Sequence, residues 1–133
     1  MSQPPSILIA EDVGMAGELL RAIVENAGAV VTAVVTDGED AVETFRQRRP
    51  DIVFVDMFMP KMNGLEVLRA IRAMDPMAFV VLVSAEAPMA RVKEAHELGA
   101  QAFLVKPVRL AQVRALLEQF ARIQGWSRGH ANS

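Results

Sequence analysis

Five polar side chains stand at the ends of short apolar runs, in a pattern suited to chemistry on an anionic group. Glu11 and Asp12 follow Ile7–Ala10, Asp56 follows Ile52–Val55, Ser84 follows Phe79–Val83, and Lys106, with Pro107 behind it, follows Ala102–Val105. Taken singly, each has an ordinary explanation. Glu11 or Asp12 could cap a helix, Asp56 could be a turn residue, Ser84 an N-cap and Lys106 a solvated charge before a turn. Taken together, three carboxylates at one place repel and raise one another's pKa unless a cation or proton intervenes. Lys106 neutralises only one of them. Oxygen ligands with no cysteine and no nearby histidine favour a hard divalent ion such as Mg²⁺. A metal beside a carboxylate, an ammonium and a hydroxyl suits a phosphate, whose oxygens need cations and hydrogen-bond donors. The reaction class this suggests is phosphoryl transfer, with a carboxylate able to accept the group as an acyl phosphate.

These side chains can meet only if the apolar runs are neighbouring strands. None of the four runs alternates apolar with polar residues, which suits strands buried on both faces. A fifth run, Val30–Val35, is interrupted by Thr32 and Ala33, as expected nearer a sheet edge. Helical spacing fills the intervals. It covers Val13–Ala27 before Gly28, Glu39–Arg49, Leu65–Met74 and Met89–Leu98 before Gly99. A last helix over Leu110–Ile123 carries Leu110, Val113, Leu116, Leu117, Phe120 and Ile123 on one face, with Gly125 as its expected terminator. Strands alternating with helices predict an α/β fold, a doubly wound five-stranded parallel sheet with helices on both faces. In such a sheet, ligands bind beyond the carboxyl ends of the strands, where the five polar side chains lie.

Composition narrows the classes further. The 133 residues allow one domain, and 52% hydrophobic residues provide for a core without cross-links. Zero cysteines exclude a disulfide framework, thiolate catalysis and cysteine-rich zinc sites. With 14 basic and 16 acidic residues the formal charge is −2, so no basic field marks a chain built to coat nucleic acid or an anionic membrane. The apolar run Ile7–Ala10 is too short for a signal-peptide core or a membrane span, and a cytoplasmic location is the expectation. Met57, Met59 and Met62 flank Asp56 and read as adaptable filling under a loop, with a partner surface as the alternative. Arg46, Arg48 and Arg49 before Pro50 read as positive charge complementing a helix end.

From Ser6 to Ile123 the chain resembles the receiver domain of two-component response regulators, particularly single-domain regulators of the chemotaxis type. The resemblance is carried by Glu11-Asp12, by the segment from Phe54 to Gly64, by Ser84-Ala85, and by Gly99 leading through Phe103 to Lys106-Pro107. It implies a flavodoxin-like (βα)5 fold with strand order 2-1-3-4-5. Asp56 would be the phosphoacceptor, receiving its group from a sensor histidine kinase or phosphotransfer protein in a reaction dependent on Mg²⁺ or Mn²⁺. Asp12 would ligate the metal directly, Glu11 directly or through water, and Asp56 and the backbone carbonyl of Phe58 would complete the protein ligands. Lys106 and Ser84 would hold phosphoryl oxygens, small Ala85 would leave room for the group, and Ser84 and Phe103 would form the switch. The domain would catalyse its own phosphorylation and dephosphorylation without being a conventional enzyme.

Three departures from the common pattern stand out: Glu11 in place of the more frequent aspartate, serine at position 84 where threonine is also common, and Phe103 without a tyrosine hydroxyl. Phe58 beside the acceptor either hinders attacking water or covers the core as a loop hydrophobe. The expected organisation is a disordered start over 1–5, a receiver over 6–124, and a flexible tail or linker over 125–133. Output would pass through the 89–123 face to another macromolecule, with no direct nucleic-acid contact, and the resemblance allows a phosphorylation-dependent homodimer. Two rival readings are a pseudo-receiver that binds partners without phosphorylation and a phosphoaspartate-type hydrolase. The first should lack acceptor or metal ligands, which are all present, and the second should carry an acid two residues after the nucleophile, where this chain has Phe58.

Overall fold

The computed structural model describes residues 3–131. Five strands and five helices alternate: β1 (Ser6–Ala10), α1 (Gly14–Asn26), β2 (Val30–Val35), α2 (Gly38–Arg48), β3 (Ile52–Asp56), α3 (Gly64–Met74), β4 (Phe79–Ser84), α4 (Met89–Glu97), β5 (Ala102–Val105) and α5 (Leu110–Ala131). All strands pair in parallel in the order β2-β1-β3-β4-β5. The central strands β1, β3 and β4 are almost wholly buried, as their unbroken apolar runs require.

Alternation along each strand divides the core in two. Leu8, Val53, Val55, Val80 and Leu82 face α2, α3 and α4, packing with Phe45, Leu68, Ile71 and Ala95. Ile7, Ile9, Phe54, Val81 and Val83 face α1 and α5, packing with Leu20, Val24, Val113 and Leu116. On this second face Phe79 meets Phe120 edge-to-face at 5.7 Å between ring centroids.

Three sequence expectations change. The β5 run Ala102–Val105 is half-buried to exposed along its length, because β5 ends the sheet and only β4 covers its side. Gly125 does not end the last helix, and the tail expected at 125–133 is helical as far as Ala131. One exposed glycine in a helix costs about 1 kcal/mol against alanine, too little to interrupt a helix already propagated from Leu110. At the other end, the Pro5 carbonyl accepts from Val30 N–H at 2.9 Å, so the ordered chain begins before Ser6. Met1 and Ser2 of the expected disordered start, and Asn132 and Ser133 of the expected flexible tail or linker, lie outside the described residues.

The arginines before Pro50 also do more than complement a helix end. Arg48 donates to the Thr32 carbonyl at 3.0 Å, and Arg49, in the left-handed region, lies over the Phe45 ring at 5.2 Å. No helix among the described residues is long and apolar enough to cross a membrane.

Candidate phosphoacceptor site

The parallel register brings the five side chains to one edge. Beyond the strand ends the ladder continues: Glu11 N–H donates to the Val35 carbonyl, Met57 N–H to that of Val83, and Lys106 N–H to that of Ser84. These bonds fix where each functional side chain leaves the sheet. Asp56 and Ser84 are the last residues of their strands rather than the first of the following loops.

One carboxylate oxygen from each of Glu11, Asp12 and Asp56 lies within 4.8 Å of the others. Lys106 Nζ stands between two of them, 3.1 Å from both Glu11 oxygens and hydrogen-bonded to Asp56 Oδ2. Asp56 Oδ1 accepts from Phe58 N–H at 2.7 Å, so both of its oxygens are oriented. Glu11, Asp56 and Ser84 are buried, whereas Asp12 is exposed at the mouth of the cluster. The helix-capping explanation for the acidic pair fails, because α1 begins after Val13 with no side-chain cap. The N-cap explanation for Ser84 fails as well, since α4 begins after Pro88 and Ser84 Oγ accepts from Glu86 N–H at 3.3 Å.

Three carboxylates against one ammonium leave an excess of negative charge in a partly dry site. Burial first, then the hydrogen bond shared with Asp56, pushes the Glu11 carboxyl up to about 7. Burial also opposes ionisation of Asp56, but hydrogen bonds from Glu11, Lys106 and Phe58 N–H outweigh it and hold Asp56 below the usual range. Lys106 is raised, its two carboxylate partners overcoming its own burial. The donor set, all oxygen and net negative, fits Mg²⁺ or a similar hard divalent ion.

The Glu11 shift has a consequence for stability. An acid whose folded pKa exceeds its unfolded value stabilises the fold when protonated, and that contribution disappears as pH rises from about 4.5 through about 7. Without divalent metal, urea-unfolding stability is therefore expected to fall across this window. Glu11→Gln should flatten the fall, and a slope unchanged in that variant would show that another group causes it.

Ala85 is exposed just past Ser84. Phe58 is 61% exposed and covers no core, whereas Met57 is buried and Met59 and Met62 pack partly against the α2–α3–α4 face, the filling role expected of them. Phe103 lies on β5, half-buried beside Ala95 and His96 at a hollow of about 120 Å³.

Two residues that received no role from the sequence matter for the loop after Asp56. Gly38 N–H donates to the Pro60 carbonyl and Gly64 N–H to that of Met57, while Asn63 and Glu66 form a capping box at the start of α3. A Cβ at Gly64 would stand 2.6 Å from the Asp56 carbonyl oxygen, and one at Gly38 would stand 2.2 Å from that of Met62. The capping box was legible as Asn63-Gly-Leu-Glu66, but the close approaches were not.

Comparison with known proteins agrees with this geometry. Residues 7–118 match the family model of the response regulator receiver domain. The chemotaxis protein CheY of Thermotoga maritima is 35% identical over 116 residues, covering 87% of this chain and 97% of that protein. The CheY of Listeria monocytogenes is 36% identical, with 87% and 98% covered. Among solved structures, the CheX–CheY–BeF₃–Mg²⁺ complex of Borrelia burgdorferi superposes with a TM-score of 0.83 at 32% identity, covering 88% of this chain and 89% of that one. A parallel sheet in this strand order, an acidic cluster with a lysine at its carboxyl edge and a family match over most of the chain lead to one conclusion: this chain belongs to the response regulator receiver domains of two-component signalling.

Proposed function

We propose that Asp56 accepts the phosphoryl group in this receiver's phosphorelay and that Glu11, Asp12, Asp56 and the Phe58 carbonyl hold the metal. The observation that carries this reading is the orientation of Asp56. Its carboxylate is buried, braced by Phe58 N–H and Lys106, and beside two further acids. The relative from Borrelia burgdorferi, solved with beryllofluoride and magnesium, supports it.

In the transfer, a carboxylate oxygen of Asp56 attacks phosphorus and the bond from phosphorus to the histidine nitrogen breaks, leaving an acyl phosphate and a free imidazole. Bound Mg²⁺ would offset negative charge on the transferring oxygens. Lys106 then exchanges its carboxylate partner for a phosphoryl oxygen, and the Ser84 hydroxyl donates to another. Ala85 leaves the entry open. Hydrolysis returns Asp56 to its carboxylate, and exposed Phe58 narrows the approach of water. The donor is a sensor histidine kinase or phosphotransfer protein, in keeping with the kinase and output partners of response regulators.

For output, the new charge draws in Ser84 and Lys106, and Phe103 turns inward toward the hollow beside α4. Moving the population from 1:99 to 99:1 takes about 5.5 kcal/mol, within reach of a few charge-assisted hydrogen bonds. The 89–123 face changes shape as a result. Incubation with Mg²⁺ and acetyl phosphate distinguishes the readings: stable labelling supports the receiver, no labelling the pseudo-receiver, and steady phosphate release the hydrolase. The metal roles have their own test. Asp12→Ala is expected to weaken Mg²⁺ binding by about tenfold or more, and more than Glu11→Ala does, because a directly bound carboxylate contributes more than one acting through water. Equal affinity in wild type and Asp12→Ala, measured by metal titration, would remove Asp12 from the site.

A further inference from the structure

Arg72, near the end of α3, makes an unusual set of contacts. Its guanidinium donates to five carbonyls: those of Asp75, Pro76 and Ala78, which follow its own helix, and those of Leu98 and Gly99, which close α4. Leu98 and Gly99 offer terminal carbonyls with no partner inside α4, and a cation there also complements the negative end of the helix dipole. Gly99 has φ of +84°, and a Cβ on it would stand 3.3 Å from Arg72 Nε. The end of α4 is therefore fastened to α3 and to the lead-in of β4.

The beginning of α4 is held differently. Its N-cap is Pro88, which supplies no side-chain hydrogen bond, and no acid occupies its first turn. Residues 85–91 are all exposed, and Ala95 is the one buried residue of the helix. Past the middle, Arg69 pairs with Glu94 at 3.3 Å on the surface. The loosely held end is also the one tied to Ser84, through residues 85–88.

We propose that α4 is a lever whose pivot is the Arg72 clamp. Its N-terminal end swings with the segment that follows Ser84, while Leu98 and Gly99 stay in place. This rests on the phosphoacceptor reading for its trigger and narrows the output face. The part that moves, and that a partner discriminates, is the first half of α4 around Met89 and Val92. The backbone at Leu98 and Gly99 keeps its place. Lysine cannot replace Arg72, because reaching five carbonyls on two segments needs the planar fork of donors.

The test is amide hydrogen exchange and NMR on the full chain, first without any phosphoryl mimic. Amides of Leu98, Gly99 and Ala100 should be about tenfold or more better protected than those of Arg91 and Val92. In Arg72→Lys that gradient should vanish. Arg72→Met provides a second variant lacking the charge, with the same expectation. With Mg²⁺ and beryllofluoride, wild-type shifts should be largest over residues 86–92 and smallest at Leu98 and Gly99, and in Arg72→Lys they should become as large at both. Half-saturation should be unchanged, since Arg72 lies at the opposite edge of the sheet from Asp56. Equal protection at both ends of α4, or a gradient that survives Arg72→Lys, overturns the pivot. Absence of shifts around Glu11 and Asp56 would instead overturn the phosphoacceptor reading, and the gradient in untreated protein would still decide the pivot.

Discussion

Asp56→Asn is expected to reduce phosphoryl labelling by acetyl phosphate and Mg²⁺ to background while the fold persists. The amide has the shape of the carboxylate, and its oxygen can keep the hydrogen bond from Phe58 N–H now made by Oδ1. What it loses is the nucleophile, since a neutral amide oxygen does not form a stable acyl phosphate under these conditions. Lys106 keeps a partner in Glu11, 3.1 Å away, so no buried charge is stranded. One fewer carboxylate also relieves the repulsion within the cluster. Intact-mass spectrometry with mapping of the modified residue makes the measurement. Labelling that persists in the variant, at Ser84 or at another aspartate, would show that Asp56 is not the acceptor.

The second large effect is expected from the smallest change. Gly64→Ala places a methyl group 2.6 Å from the Asp56 carbonyl oxygen and 2.8 Å from the Met57 Cα, distances that real Cβ atoms do not tolerate. The obstruction is backbone, so no rotamer relieves it. Either α3 retreats or the chain after Asp56 shifts, and both disturb the bond from Gly64 N–H to the Met57 carbonyl. A stability loss of about 3 kcal/mol is expected, at the upper end for overpacking. Labelling should slow by about a hundredfold, because a misplacement near 1 Å is enough to spoil an attack geometry. Gly14→Ala is the control, with nothing within 4 Å of its added Cβ. Gly64→Ala indistinguishable from Gly14→Ala in urea melts and labelling rate would mean that the loop after Asp56 yields to the added methyl group without cost.

The sequence made the site legible because its residues are read locally: each follows a run of apolar residues, and in a parallel sheet the run ends are neighbours. The central strands were legible for the same reason. The edge position of β5 was not, because Ala102–Val105 has the composition of a central strand and only its place in the strand order exposes it. Gly125 misled because a terminator signal is a preference of about 1 kcal/mol, which neighbouring turns override. Arg72 was invisible for a different reason. Along the sequence it resembles Arg69, three residues earlier on the same helix. One reaches a surface glutamate and the other a ring of carbonyls contributed by segments up to 27 residues away. The raised pKa of Glu11 is likewise a property of the assembled site, created by burial and by Asp56 from the neighbouring strand against the opposing pull of Lys106.

The sheet separates two cores, one packed by α1 and α5 and the other by α2, α3 and α4. Side chains from the two layers do not interdigitate; they share only the strands between them. Energetically, the faces are near strangers, and substitutions that accumulate on one leave the packing of the other almost unaffected. A lineage can therefore rework α1 and α5 to suit one set of neighbours and α4 to suit another, through separate and nearly independent histories, provided that the carboxyl edge where both layers end is left alone.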